Sequence, residues 1–121
     1  MAKILIIDDD QDILDFASLC LGDQHDISTA LNGEAGVFAC DKASFDLILT
    51  DIFMPFRDGL DLIREVRKLD PNVKIIAMTS RFGVGHTDYL KAAQVIGAAA
   101  TLQKPFTRQD LLSTVDRLLN G

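Results

Sequence analysis

A doubly wound α/β domain around a five-stranded parallel sheet is the fold this chain predicts, and three observations carry the prediction. Short apolar runs end abruptly in acid: residues 4–7 read Ile, Leu, Ile, Ile and meet Asp8, Asp9 and Asp10, while Leu47, Ile48, Leu49 and Thr50 meet Asp51. Runs of that length between polar turns suit strands buried on both faces, as in a parallel sheet covered by helices. Such runs alternate with helix-like segments along the chain, without a repeat, a linker or a low-complexity stretch. Turn-forming residues mark the joins, at Asn32-Gly33, Asp58-Gly59, Asp70-Pro71-Asn72, and Gly83 and Gly85.

Taken in order, strands are expected at residues 3–7, 25–30, 46–50, 73–79 and 99–103, and helices at 12–21, 34–41, 60–69, 87–96 and 108–119. Asp10 is placed to cap the first helix. On its helical wheel Ile13, Ala17, Cys20 and Leu21 form the core stripe, with Leu14 and Phe16 at the edges. Leu19 falls among Asp12, Asp15 and Ser18, on the side facing water. The last helix has the clearest stripe, Leu111, Leu112, Val115, Leu118 and Leu119, and Thr107 with Asp110 resembles a capping box. Five βα units imply right-handed crossovers and helices on both sheet faces. The flavodoxin-like strand order 2-1-3-4-5 follows, with the switch point between the first and third strands.

Composition bounds the function classes. The chain has 121 residues, 48% hydrophobic and 25% charged, which suits a single domain over residues 1–121 with a core that needs no staples. A formal charge of −6 argues against a nucleic-acid-binding surface. Cys20 and Cys40 fall inside predicted helices without metal-type spacing and are expected to be buried, reduced thiols. The first strand begins almost at Met1, leaving no room for a signal peptide, and no apolar run is long enough to span a membrane. A cytoplasmic location is expected.

Chemistry concentrates at the strand ends. With the first and third strands adjacent, Asp8, Asp9 and Asp51 converge on one crevice. Two carboxylates about 4 Å apart repel by roughly 4 kcal/mol at an effective dielectric of 20. A hard divalent cation answers that repulsion most simply, and Mg²⁺ suits one or two carboxylates plus phosphate oxygens. The first βα loop reads Asp-Asp-Asp-Gln, which repels the phosphate of a flavin or nucleotide, so nucleotide binding is not expected.

The whole chain resembles the receiver domains of two-component response regulators, the single-domain chemotaxis regulator among them. The resemblance rests on Ile4-Leu5-Ile6-Ile7-Asp8-Asp9-Asp10, Asp46-Leu47-Ile48-Leu49-Thr50-Asp51-Ile52-Phe53-Met54-Pro55, Asp58-Gly59, Met78-Thr79-Ser80, Gly97-Ala98 and Lys104-Pro105-Phe106, all in order. It implies that Asp51 is the phospho-acceptor, a carboxylate nucleophile. It implies Mg²⁺ held by Asp9 directly, by Asp8 largely through water, by Asp51 and by the backbone carbonyl of Phe53. Lys104 and Thr79 are implied to contact phosphate oxygens, and the Lys104-Pro105 peptide to be cis. The implied donor is a phosphohistidine on a sensor histidine kinase or a histidine phosphotransfer protein, and the output goes to a downstream protein that the sequence does not name. On this reading the chain is a switch that catalyses only its own phosphorylation and dephosphorylation, with no membrane or direct nucleic-acid partner.

Two rival readings belong to other classes, and the second of them keeps this fold. An Mg²⁺-dependent phosphohydrolase would want a second acid/base carboxylate in an Asp-x-Asp pattern, where this chain has Phe53. A phosphorylation-independent interaction module would favour loss of an acidic or lysine site residue, and none is lost. Three departures from the common receiver pattern bear on switching. Thr101 stands where many receivers carry Tyr or Phe, Phe53 is bulky and apolar, and residues 81–86 are glycine-rich. Phe53 and Arg81 are expected to flank the path of the water that attacks the phosphoryl group. His25 and His86 are expected to be structural or surface residues, and Met54 and Phe56 to pack over the crevice.

Overall fold

The computed structural model describes residues 2–54, 59–80, 91, 93–94 and 97–120. Five strands form one parallel sheet in the order β2-β1-β3-β4-β5: β1 Lys3–Ile7, β2 Asp26–Ala30, β3 Leu47–Asp51, β4 Lys74–Ser80 and β5 Ala100–Lys104. The order matches the one expected from sequence, and the boundaries differ by a residue at several ends. Two of those differences matter. Asp51 and Lys104 are the last paired residues of their strands, opposite Met78 and Ser80, where the sequence placed them just beyond. The ladder continues past Asp51, with the Ile52 N–H donating to the Met78 carbonyl at 2.9 Å.

Alternation along the strands divides the core into two layers. Ile4, Ile6, Leu47, Leu49, Ile76, Met78 and Leu102 face α1 (Gln11–Leu21) and the C-terminal helix (Arg108–Asn120). On the other face Leu5, Ile7, Ile48, Ile75 and Ala77 meet the apolar side of α3 (Gly59–Leu69). The α2 helix (Gly33–Lys42) closes that face with its glycines inward and Val37 half-buried. Burial on both faces explains why these strands read as continuous apolar runs. The edge strand β2 is mostly exposed, and its sequence, Asp-Ile-Ser-Thr-Ala, is correspondingly mixed.

Local signals set the helix ends. The Asp10 carboxylate accepts from the Asp12 N–H at 2.9 Å, and the Asn32 side chain caps α2 through the Ala35 N–H at 2.8 Å. Thr107 and Asp110 exchange reciprocal side-chain to backbone bonds, each 3.0 Å, and so form the expected capping box. At the far end of the same helix the Lys74 ammonium donates to the Leu118 carbonyl, a cation at the negative helix pole.

The core stripe of α1 differs from the helical wheel by one line. Leu14, Ala17, Cys20 and Leu21 are buried, and Ile13 is half-buried at the flank. Periodicity identifies an apolar side but not which line of it meets the sheet. Leu19 is 80% exposed, on the outward face as expected. Cys20 and Cys40 are both free thiols; Cys20 is buried as expected, and Cys40 is only half-buried. His25 is structural: its Nδ1 accepts from the Ala2 N–H at 3.1 Å. Met54, expected over the acidic crevice, is buried in the second core layer. Of the helix expected at 87–96, Lys91, Ala93 and Gln94 are helical, and the other residues lie outside the described ones, as do Phe56, Arg81 and His86. Four helices are therefore delimited among the described residues, against five expected.

Candidate functional site

Strand order and strand ends assemble the site. Because β1 lies between β2 and β3, with Ile7 opposite Thr50, the residues that follow both strands share the carboxyl edge of the sheet. Asp8 is fully buried, Asp51 is 5% exposed and Asp9 is exposed. One oxygen from each of these three carboxylates lies within 4.8 Å of the others. Three hard oxygen donors so close, one open to solvent, fit a small divalent cation such as Mg²⁺.

Lys104 reaches in from the end of β5. Its ammonium lies 2.6 Å from Asp8 Oδ2 and 3.5 Å from Asp51 Oδ2. The other Asp8 oxygen accepts from the Asp10 N–H at 3.0 Å. The Phe53 N–H donates to Asp51 Oδ1 at 3.4 Å, which pins the carboxylate plane. The Lys104-Pro105 peptide is cis, as expected.

Burial dominates the electrostatics. It pushes the Asp8 carboxyl up, against the hydrogen bonds from Lys104 and Asp10. The Asp51 carboxyl is pushed up to about 6; burial is the largest cause, Lys104 opposes it and the charge of Asp8 adds to it. A carboxylate held this way is poorly solvated when ionised, and a second cation beside it would relieve the cost. The Thr79 hydroxyl near the end of β4 is fully buried and has no hydrogen-bond partner among the described residues. Buried polar groups are nearly always paired, so a buried unpaired hydroxyl one residue from the carboxyl end of β4 can take an incoming acceptor.

Glycine at position 59 is a site residue that the sequence reading treated as turn punctuation. A Cβ there would stand 2.3 Å from the Asp51 carbonyl oxygen and 2.6 Å from Ile52 Cα. The Gly59 N–H donates to the Ile52 carbonyl at 2.8 Å. The start of α3 is thus seated directly on the backbone at the end of β3, an approach only glycine permits. The Asp-Gly dipeptide was the available signal; nothing in the sequence told what it would touch. The direct Lys104–Asp8 pair is a second contact that the sequence pattern does not reveal.

An acidic cluster with two of its three carboxylates buried, beside an inward lysine at the switch point of a 2-1-3-4-5 sheet, is the arrangement expected of a signalling receiver. Comparison with known proteins agrees. The pattern of the response regulator receiver domain family matches residues 4–116, and the chain belongs to that family. It is 37% identical to the DNA-binding transcriptional regulator NtrC of Azospirillum brasilense, over 99% of this chain and 24% of that protein. It is 31% identical to the response regulator receiver protein CpdR of Brucella abortus, over 98% of both. The chain therefore spans about a quarter of the first relative and nearly all of the second. Among solved structures, the CheY-like receiver domain protein from Methanospirillum hungatei superposes with a TM-score of 0.91 at 29% identity, covering 99% of this chain and 94% of that one. Receiver domains are signalling proteins of two-component systems, phosphorylated by histidine kinases, and bind Mg²⁺ in general. No helix among the described residues is long and apolar enough to cross a membrane.

Proposed function

We propose that the chain, a single receiver domain over residues 1–121, is a phosphorylation-controlled binding switch in the cytoplasm with Asp51 as its phospho-acceptor. The observation that carries the reading is Asp51 itself, a buried carboxylate beside Lys104 and two further aspartates at a strand end. Asp8, Asp9, Asp51 and the Phe53 backbone carbonyl are the proposed holders of Mg²⁺. Bound there, Mg²⁺ supplies neutralisation of the charge on the transferred phosphoryl oxygens.

The protein's own groups do the rest. The Asp51 carboxylate attacks phosphorus in line with the leaving imidazole of a phosphohistidine donor, an O–P bond forming as the N–P bond breaks. Lys104 turns from Asp8 toward a phosphoryl oxygen, and the unpartnered Thr79 hydroxyl donates to another. The phosphoryl group adds a local charge of about −1.5 to −2, and those new contacts are the differential interaction that biases the switch. The donor is a sensor histidine kinase or histidine phosphotransfer protein, and the exposed Leu19 with the adjoining Phe16–Phe106 ring pair, centroids 6.1 Å apart, is where it docks. Incubation with a phosphohistidine-loaded donor and Mg²⁺ tests the reading. Phosphoryl transfer to the chain is expected, and its persistence in Asp51→Asn at the same rate would refute the assignment.

A further inference from the structure

Arg67, in the last turn of α3, joins two parts of the chain that the sheet alone leaves separate. Its Nη1 donates to the Pro71 carbonyl at 3.2 Å and to the Val73 carbonyl at 2.5 Å, on the way into β4. Its Nη2 donates to the Gly97 carbonyl at 2.6 Å. Gly97 has φ +130°, and a Cβ there would come within 2.6 Å of Arg67 Nε, so the glycine is needed both for its backbone and for this approach. The Ala98 N–H donates to the Ala93 carbonyl and the Gly97 N–H to the Gln94 carbonyl, the paired bonds of a Schellman helix end. Arg67 therefore places its cation where a helix presents its negative pole. The Ala99 N–H then donates to the Ile75 carbonyl at 2.8 Å, which starts the β4–β5 ladder that ends at Lys104.

The opposite end of α3 is fixed just as tightly. Gly59 bonds to Ile52 and has no room for a Cβ against the Asp51 backbone. Between the two ends lies a helix of eleven residues, a rod of roughly 16 Å. Leu62, Ile63 and Val66 bury it in the same core layer as Ile52 and Ala98, and such close-packed layers transmit displacement rather than absorbing it.

We propose that α3 is a coupling rod: Gly59 takes up the position of the Asp51–Ile52 backbone, and Arg67 passes it to the chain ahead of β5. The inference rests on Asp51 being the acceptor. It supplies a route that does not need an aromatic residue at position 101, where this chain has Thr101. Arg67 is a positioning residue: it touches neither phosphate nor metal, and its effect appears at Ala98 and Ala99.

Amide exchange at Ala98 and Ala99 in the full chain, with and without acetyl phosphate and Mg²⁺, tests the rod, while intact mass reports the label on Asp51. In the wild type, labelling should change exchange at these amides by about fivefold. Arg67→Ala should raise their unlabelled exchange by about tenfold, as expected for losing charge-assisted bonds, and abolish the labelling-dependent change while taking the label normally. Arg67→Lys keeps the cation but cannot bridge both sides, so it should fold, label and be uncoupled; it is the deciding variant if Arg67→Ala does not unfold cooperatively. Labelled wild type with unchanged Ala98 and Ala99 overturns the rod, as does a full change surviving in the deciding variant. Absence of any label on the wild type overturns the Asp51 assignment, and the rod with it.

Discussion

Replacing Asp51 by Asn should make the metal-free protein more stable at neutral pH, because its carboxylate is held ionised at a cost to the fold. Folding raises the Asp51 carboxyl from 3.8 to about 6. The folded protein thus binds this proton more tightly than the unfolded chain does, and stability falls as pH rises from 3.8 through about 6. Above that range the cost is fully present; below it the difference vanishes. At about 1.4 kcal/mol per pH unit the ceiling is roughly 3 kcal/mol. The side chain is only 7% exposed, so solvent screening discounts little of this. Asn keeps an acceptor for the Phe53 N–H but gives up the Lys104 contact, and a net gain of about 1–2 kcal/mol is expected. For a chain of this size that corresponds to a melting increase of about 4–8 °C. Urea unfolding of both proteins in EDTA, at pH 7.5 and again near pH 3.5, reads the effect. Saturating Mg²⁺ should close the gap by stabilising the wild type about 2–3 kcal/mol at a hundredfold excess over Kd. An Asn variant no more stable than wild type at pH 7.5, or equally favoured at both pH values, would refute the electrostatic account.

Other substitutions separate the remaining parts. Gly59→Ala puts a methyl group into the Asp51 carbonyl and should cost about 2–4 kcal/mol in urea unfolding, with lower phosphorylation yield; a neutral effect would mean that α3 can shift freely. Leu19→Glu should slow phosphotransfer from the cognate donor by about tenfold yet leave labelling by acetyl phosphate intact, whereas equal loss in both reactions would indicate damage to the fold. Phe53, 41% exposed two residues past Asp51, should shield a phosphoryl group on Asp51 from in-line water, so Phe53→Asn should hasten decay of the labelled protein by about fivefold. Unchanged decay would remove Phe53 from that role.

The fold was legible because burial on both sheet faces leaves an unambiguous record: β1 is apolar over Ile4–Ile7 and β3 over residues 47–49, and few other structures need that. Asp8, Asp9 and Asp51 were legible together, since each ends or follows such a run and only the strand order had to be supplied. Less could be read where one chain segment meets another. The wheel of α1 offered two apolar lines and could not say that Leu14 rather than Ile13 faces the sheet. Met54 looked like a crevice residue by its distance from Asp51, yet its side chain turns into the second core layer. Gly59, Arg67 and Gly97 are the clearest cases. Their importance lies in what a missing Cβ or a guanidinium fork meets across the fold, and composition and spacing hold no trace of such contacts. The Lys104–Asp8 pair was hidden for a related reason: it joins residues 96 apart in sequence, across the carboxyl ends of β1 and β5.

The most direct test of the central claim is to locate the phosphoryl group itself. Wild type and Asp51→Asn are treated with acetyl phosphate and Mg²⁺, the acyl phosphate is trapped by borohydride reduction, and the modified residue is located by peptide mass. One adduct is predicted, at Asp51, absent from Asp51→Asn and strongly reduced when Mg²⁺ is omitted or Asp9 is changed to Ala. An adduct at another residue, or one that persists in Asp51→Asn with unchanged yield, would contradict the account.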